Sequence, residues 1–138
     1  MPSVFVFQAD LLCEDCGEEA RRELNAAGKK PENAQNEATF DSDDYPKGPY
    51  SGANTEVDCP QHCHECREYL RTPLTAQGRD YVMDKIRAFC VARIAGSRYA
   101  GDADVLKLWA EDLSENYLPR IEDRTVLDLF LDGVRARR

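Results

Sequence analysis

Cys13-Glu14-Asp15-Cys16-Gly17 and Cys63-His64-Glu65-Cys66, with 46 residues between Cys16 and Cys63, decide how this 138-residue chain is read. Each is a C-x-x-C pair, and two such pairs supply the four thiolates of a tetrahedral zinc–sulfur site. Two residues between ligands let the backbone turn tightly around an ion, and Gly17 removes the Cβ that would crowd the first turn. The interval is longer than the roughly 15–20 residues usual between the two pairs of a zinc ribbon.

The second half-site is richer than the first. Cys59-Pro60-Gln61-His62-Cys63-His64-Glu65-Cys66 offers five potential ligands within eight residues. Cys63 with Cys66 repeats the spacing of the first pair and is the preferred choice, with Cys59, His62 and His64 as alternates. A spare histidine N–H can orient a thiolate or a carbonyl. Four thiolates would close the coordination sphere, leaving no open position for a catalytic water. Glu65 is a possible general base, but it sits between two candidate ligand positions; H-E-x-x-H and the zinc-deaminase pattern are both absent. No catalytic residue is assigned, and a small zinc hydrolase using Glu65 stays a secondary reading. Glu14, Asp15, Glu18 and Glu19 would raise the pKa of a thiol in the first pair, which argues against a redox dithiol. An iron–sulfur cluster would accept the same four thiolates. Cys90, beside Phe89 and near Ile94, reads as a small core residue.

Hydrophobic residues make up 42% of the chain and charged residues 32%, a globular balance. The apolar runs are far too short for a membrane span. Met1-Pro2-Ser3 lacks a basic start and Asp10 interrupts the first apolar run, so the expected address is the cytoplasm, where thiols stay reduced. The formal charge of −8 is local: residues 1–72 carry 15 acidic and 7 basic side chains, while residues 73–138 carry 11 of each. An acidic module repels phosphate, so direct nucleic-acid binding is disfavoured and a protein with a basic surface is the expected partner.

The expected fold class is α+β: a small zinc-knuckle module of short strands plus one helix, residues 1–72, followed by a three-helix segment, residues 73–138, the two packed as one domain. Ser3–Leu12 reads as one strand and Glu18–Ala27 as a helix stopped by Gly28. Residues 29–58 form an acidic loop with turn chemistry throughout; Asp41, Asp43, Asp44, Tyr45 and Tyr50 are its candidate partner contacts. A helix capped by Thr75 runs to about Ala95 with Val82, Ile86, Phe89, Cys90 and Ile94 as its buried stripe. Asp102 caps the next, with Val105, Leu108, Trp109 and Leu113 inward. Pro119 separates it from a third, Arg120 to about Asp132, with Ile121, Val126, Leu127, Phe130 and Leu131 apolar and Gly133 at its end. The tail Val134-Arg135-Ala136-Arg137-Arg138 carries too few charges to define a function.

Gln8-Ala9-Asp10-Leu11-Leu12-Cys13-Glu14-Asp15-Cys16-Gly17, then Tyr45-Pro46-Lys47-Gly48-Pro49-Tyr50, then Pro60-Gln61-His62-Cys63-His64-Glu65-Cys66 and Pro73-Leu74-Thr75 form an ordered set over about half the chain. In that order of features the chain resembles a group of small bacterial, plasmid and phage proteins with zinc-ribbon-like double C-x-x-C motifs and no settled activity. The resemblance implies a cytosolic protein holding structural Zn2+ through Cys13, Cys16, Cys63 and Cys66, with Cys59 accessory. Arg67 departs from the glycine common after a knuckle's last cysteine. The expected function is a protein–protein interaction module, in one version a mobile-element accessory protein that inhibits a host nucleic-acid enzyme by acidic mimicry. The alternative is a zinc knuckle that binds nucleic acid through Arg67, Arg71 and the C-terminal arginines.

Overall fold

Val- and Phe-rich Ser3–Phe7 forms β1 and Asp10–Cys13 forms β2, paired antiparallel in the computed structural model, which describes residues 3–51, 56–117 and 121–135, with no side-chain description for 121–123, 134 and 135. The single strand expected over Ser3–Leu12 is therefore a hairpin. Phe7 pairs with Asp10, leaving Gln8-Ala9 as a two-residue turn with φ of 52° and 64°. Positive φ at both positions matches the right-handed twist of the strands, and such turns ordinarily take Asn-Gly. The N–H of Gln8 donates to the Ser42 carbonyl at 3.0 Å, which holds the turn from outside.

β2 runs directly into α1 (Glu14–Ala26), with Cys13 as its N-cap. The helix starts four residues before the expected Glu18. Its end follows expectation: Gly28, at φ 74°, donates to Asn25 O at 3.1 Å and Lys29 to Leu24 O at 2.9 Å, a left-handed cap. Gly17 lies inside the helix, so it does not serve a turn. A Cβ there would stand 2.0 Å from Cδ2 of Phe5, which shows that close packing of α1 on β1 requires the glycine.

The acidic segment is not structureless. It holds a 3-10 turn at Glu37–Thr39 and the strand β3 (Lys47–Ser51), which pairs antiparallel with β1 in the order β2-β1-β3. Pro49, after a cis peptide bond, is tolerated because β3 is an edge strand. Arg21 of α1 ties this segment down. Its Nε and Nη2 donate to Pro46 O at 3.0 and 2.7 Å, and its guanidinium stacks over the rings of Phe5 and Tyr45. Val4, Phe5, Leu12, Cys13, Cys63 and Leu70 form the buried core here.

Three helices follow: α2 (Ala76–Ile94), α3 (Ala103–Asn116) and α4 (Ile121–Arg135). Thr75 caps α2 by accepting from Gly78 N–H at 3.1 Å, and Asp102 caps α3 through Asp104 and Val105 N–H. Gly96, at φ 70°, closes α2. Val82, Met83, Ile86 and Phe89 of α2 are buried, but Ile94 is 88% exposed and Cys90 only half-buried. On α3 the buried face is Leu106, Lys107, Ala110, Asp112 and Leu113, so of the expected stripe only Leu113 lies fully inside; Leu108 is exposed. Lys107 keeps its stem inside and reaches Glu111 at 3.8 Å. On α4 Leu127, Phe130 and Leu131 are buried, and the helix continues through Gly133. The side chains of Ile121 and Val134, the residues Pro119 and Arg120, and the tail residues 136–138 lie outside the described set.

The chain is thus α+β, a knuckle-like β/α element followed by three helices. Met1–Val57 with Gln61–Pro73 form one compact unit, and Asp58–Pro60 with Leu74–Arg138 form a second. No helix among the described residues is long and apolar enough to cross a membrane.

Candidate metal centre

Cys13 closes β2 and caps α1, and Cys16 lies in the first turn of that helix. The other pair sits on a tight reversal. His62 and Tyr69 form an antiparallel bridge, Cys63 N–H donates to Glu68 O at 2.8 Å, and Arg67 N–H donates to Cys63 O at 2.9 Å. Arg67 occupies the position after the last cysteine at φ 68°, the left-handed conformation in which glycine is at ease. The departure noted in the sequence is therefore a residue held where its Cβ is disfavoured, not a different turn.

These two elements bring four sulfurs together. The Sγ atoms of Cys13, Cys16, Cys63 and Cys66 all lie within 4.8 Å of one another. Cys13 and Cys66, 53 residues apart, have their sulfurs 3.7 Å apart. Zinc–sulfur bonds of about 2.3 Å in a tetrahedron place the sulfurs about 3.8 Å from each other. The Cys13–Cys66 separation matches that value, and the whole set lies within about an ångström of it.

Backbone donors face the sulfurs. Cys16 N–H points at Cys13 Sγ at 3.5 Å. Burial opposes ionisation of Cys63, but N–H groups of Cys66, Cys13 and Glu65 outweigh it and lower that thiol to about 6. Burial pushes the Cys13 thiol up, against the opposing pull of the Cys16 N–H and the Cys16 thiol. Burial first, and then the neighbouring thiols, push Cys16 well above the ordinary range. The backbone donors thus favour the anion at Cys63, while burial disfavours it at Cys13 and Cys16. The positive end of α1 adds field of the sign that four thiolates around Zn2+ require, although Glu14 and Asp15 in the same turn oppose it.

The other named ligand candidates lie elsewhere. Cys59 is exposed and falls in the second unit. His62 turns its Nδ1 to Arg67 O at 3.0 Å and stacks near Tyr69. His64 places its Nδ1 3.5 Å from Asp10 Oδ2. The helix N-terminus and backbone donors escape a reading of residue types alone; the acidic run Glu14–Glu19 was the available signal for an earlier helix start.

The candidate partner residues separate into two kinds. Asp41, Asp43 and Asp44 are exposed, and Asp41 shapes their turn by accepting from Asp43 N–H at 2.9 Å. Tyr50 is 41% exposed and donates its hydroxyl to Glu37, which raises its pKa. Tyr45 is only 2% exposed: its hydroxyl bonds Asn25 at 3.1 Å and its ring meets Phe40 edge-on. Tyr45 pins the acidic segment to α1 and offers no contact surface. No family model matches this chain, nor does any curated protein or solved structure.

Proposed function

We propose that Cys13, Cys16, Cys63 and Cys66 hold one structural Zn2+, and that the module so fixed acts by binding a protein with a basic surface. The convergence of the four sulfurs carries the reading. Two pairs distant in sequence bring all four sulfurs within 4.8 Å of one another, Cys13 and Cys66 at 3.7 Å, and four thiolate ligands around one ion would leave no position for a substrate. The metal would cross-link β2, the start of α1 and the knuckle in a unit whose buried core numbers only a few apolar side chains. The concentrated negative charge of residues 1–72, with exposed Asp41, Asp43, Asp44 and Tyr50, favours a basic protein over nucleic acid.

The same charge supports a more specific version: a cytoplasmic accessory protein of a plasmid or phage that occupies the phosphate-binding surface of a host enzyme. This version rests on the resemblance in the order of sequence motifs and on the charge alone. Purified protein carrying about one zinc per chain, lost in Cys13→Ser and Cys66→Ser, is the expected result. Zinc-loaded protein should also bind immobilised basic proteins in a salt-sensitive way and leave duplex DNA unbound. Zinc-free folded protein, or tight DNA binding at physiological salt, would refute the reading.

A further inference from the structure

Beside the centre, a cleft of about 360 Å³ opens between the hairpin, α1 and the knuckle. Phe7, Leu12 and Ala20 contribute its apolar lining, and Asp10, Glu19, Glu23 and Glu65 line it as well. A smaller cleft of about 200 Å³, bordered by Cys13, carries Glu14, Asp15 and Glu68. Neither has a lysine or arginine among its described lining residues. Two of the carboxylates in the larger cleft are engaged, Glu19 by Arg22 and Asp10 by His64. Glu23 and Glu65 are exposed and carry no ion pair among the described residues.

We infer that the larger cleft receives an arginine side chain from the basic partner, so that the contact is anchored beside the metal centre and not at the Asp41–Asp44 turn. The proposal rests on the interaction reading above. A lining that combines apolar side chains with two carboxylates outside any ion pair suits a guanidinium, whose flat, weakly hydrated faces pack on hydrocarbon while its N–H groups reach carboxylates. A lysine ammonium is compact and strongly hydrated and gains less from such a lining. Cys16 lines the cleft, so a filled thiolate centre adds negative charge at its wall.

The test uses zinc-loaded full-length protein and two short peptides, one arginine-rich and one with every arginine replaced by lysine, followed by fluorescence anisotropy at low and physiological salt. The arginine peptide should bind more tightly. A Glu23→Gln/Glu65→Gln variant, altered only at exposed side chains, should lose at least about tenfold in affinity while keeping its zinc content and circular dichroism. An Asp41→Asn/Asp43→Asn/Asp44→Asn variant should lose less. Equal binding of both peptides would overturn the choice of arginine. An unaffected cleft variant beside a weakened turn variant would overturn the cleft and leave the acidic-surface reading standing. No binding of either peptide by the unaltered protein would overturn both.

Discussion

Gly17→Ala is the sharpest single test of how the metal centre is built. In α1 the new Cβ would meet Phe5 at 2.0 Å from Cδ2, 2.3 Å from Cγ and 2.8 Å from Cβ. Carbon atoms settle at roughly 3.5–4.0 Å, so the overlap exceeds an ångström. Rotating the ring relieves the first two contacts but not the third, because Phe5 Cβ is fixed to the central strand. The strand and helix must therefore separate, and Phe5, only 1% exposed, has nowhere to go. Overpacking of this kind costs about 1–3 kcal/mol, and alanine returns about 1 kcal/mol of helix propensity. The expected net loss is about 0–2 kcal/mol in urea unfolding of the zinc-loaded protein. Cys16 is the preceding residue, so zinc affinity measured against a competing chelator should fall as well. Gly133→Ala provides the control: it is also helical, meets nothing within 4 Å, and should stabilise by up to about 1 kcal/mol. Equal gains from both substitutions would show that α1 does not press on β1 as described.

Arg67→Gly should stabilise the knuckle by about 1 kcal/mol, since Arg67 is exposed at φ 68° and gives up no buried contact; calorimetric melting of the zinc-loaded protein would register it, and a loss would refute the strained turn. Chelation should abolish the tertiary signal of the first unit while the fluorescence of Trp109, the one tryptophan and part of the helical unit, stays unchanged. Zinc affinity should fall as pH falls, because Cys13 and Cys16 are held protonated, and should fall more steeply below about 6, where Cys63 also takes up its proton. Titration calorimetry in buffers of different ionisation enthalpy measures those displaced protons.

The clustering of Cys13, Cys16, Cys63 and Cys66 was legible because thiol pairs at two-residue spacing are a local signal. The caps were legible for the same reason: Thr75, Asp102, Gly28 and Gly96 each act on backbone groups a few residues away. The hairpin was not, because Gln8-Ala9 takes a positive-φ turn that its side chains do not favour and that Ser42, distant in sequence, supports. β3 was hidden by Gly48-Pro49, which reads as turn chemistry until β1 is available to pair with it. The face of α3 was misjudged because Val105, Leu108 and Trp109 make one apolar stripe and Leu106, Ala110 and Leu113 another; only packing against α2 and α4 chooses between them. Gly17 reads in the sequence as a turn residue, whereas its role is to let a buried ring approach a helix, a contact between elements that no window of sequence contains.

X-ray absorption at the zinc edge of the purified, zinc-loaded protein examines the centre itself. Four sulfur neighbours at about 2.3 Å, with no nitrogen or oxygen in the shell, is the predicted result. A shell containing nitrogen from His62 or His64, or an oxygen from water, would contradict a closed site made by Cys13, Cys16, Cys63 and Cys66.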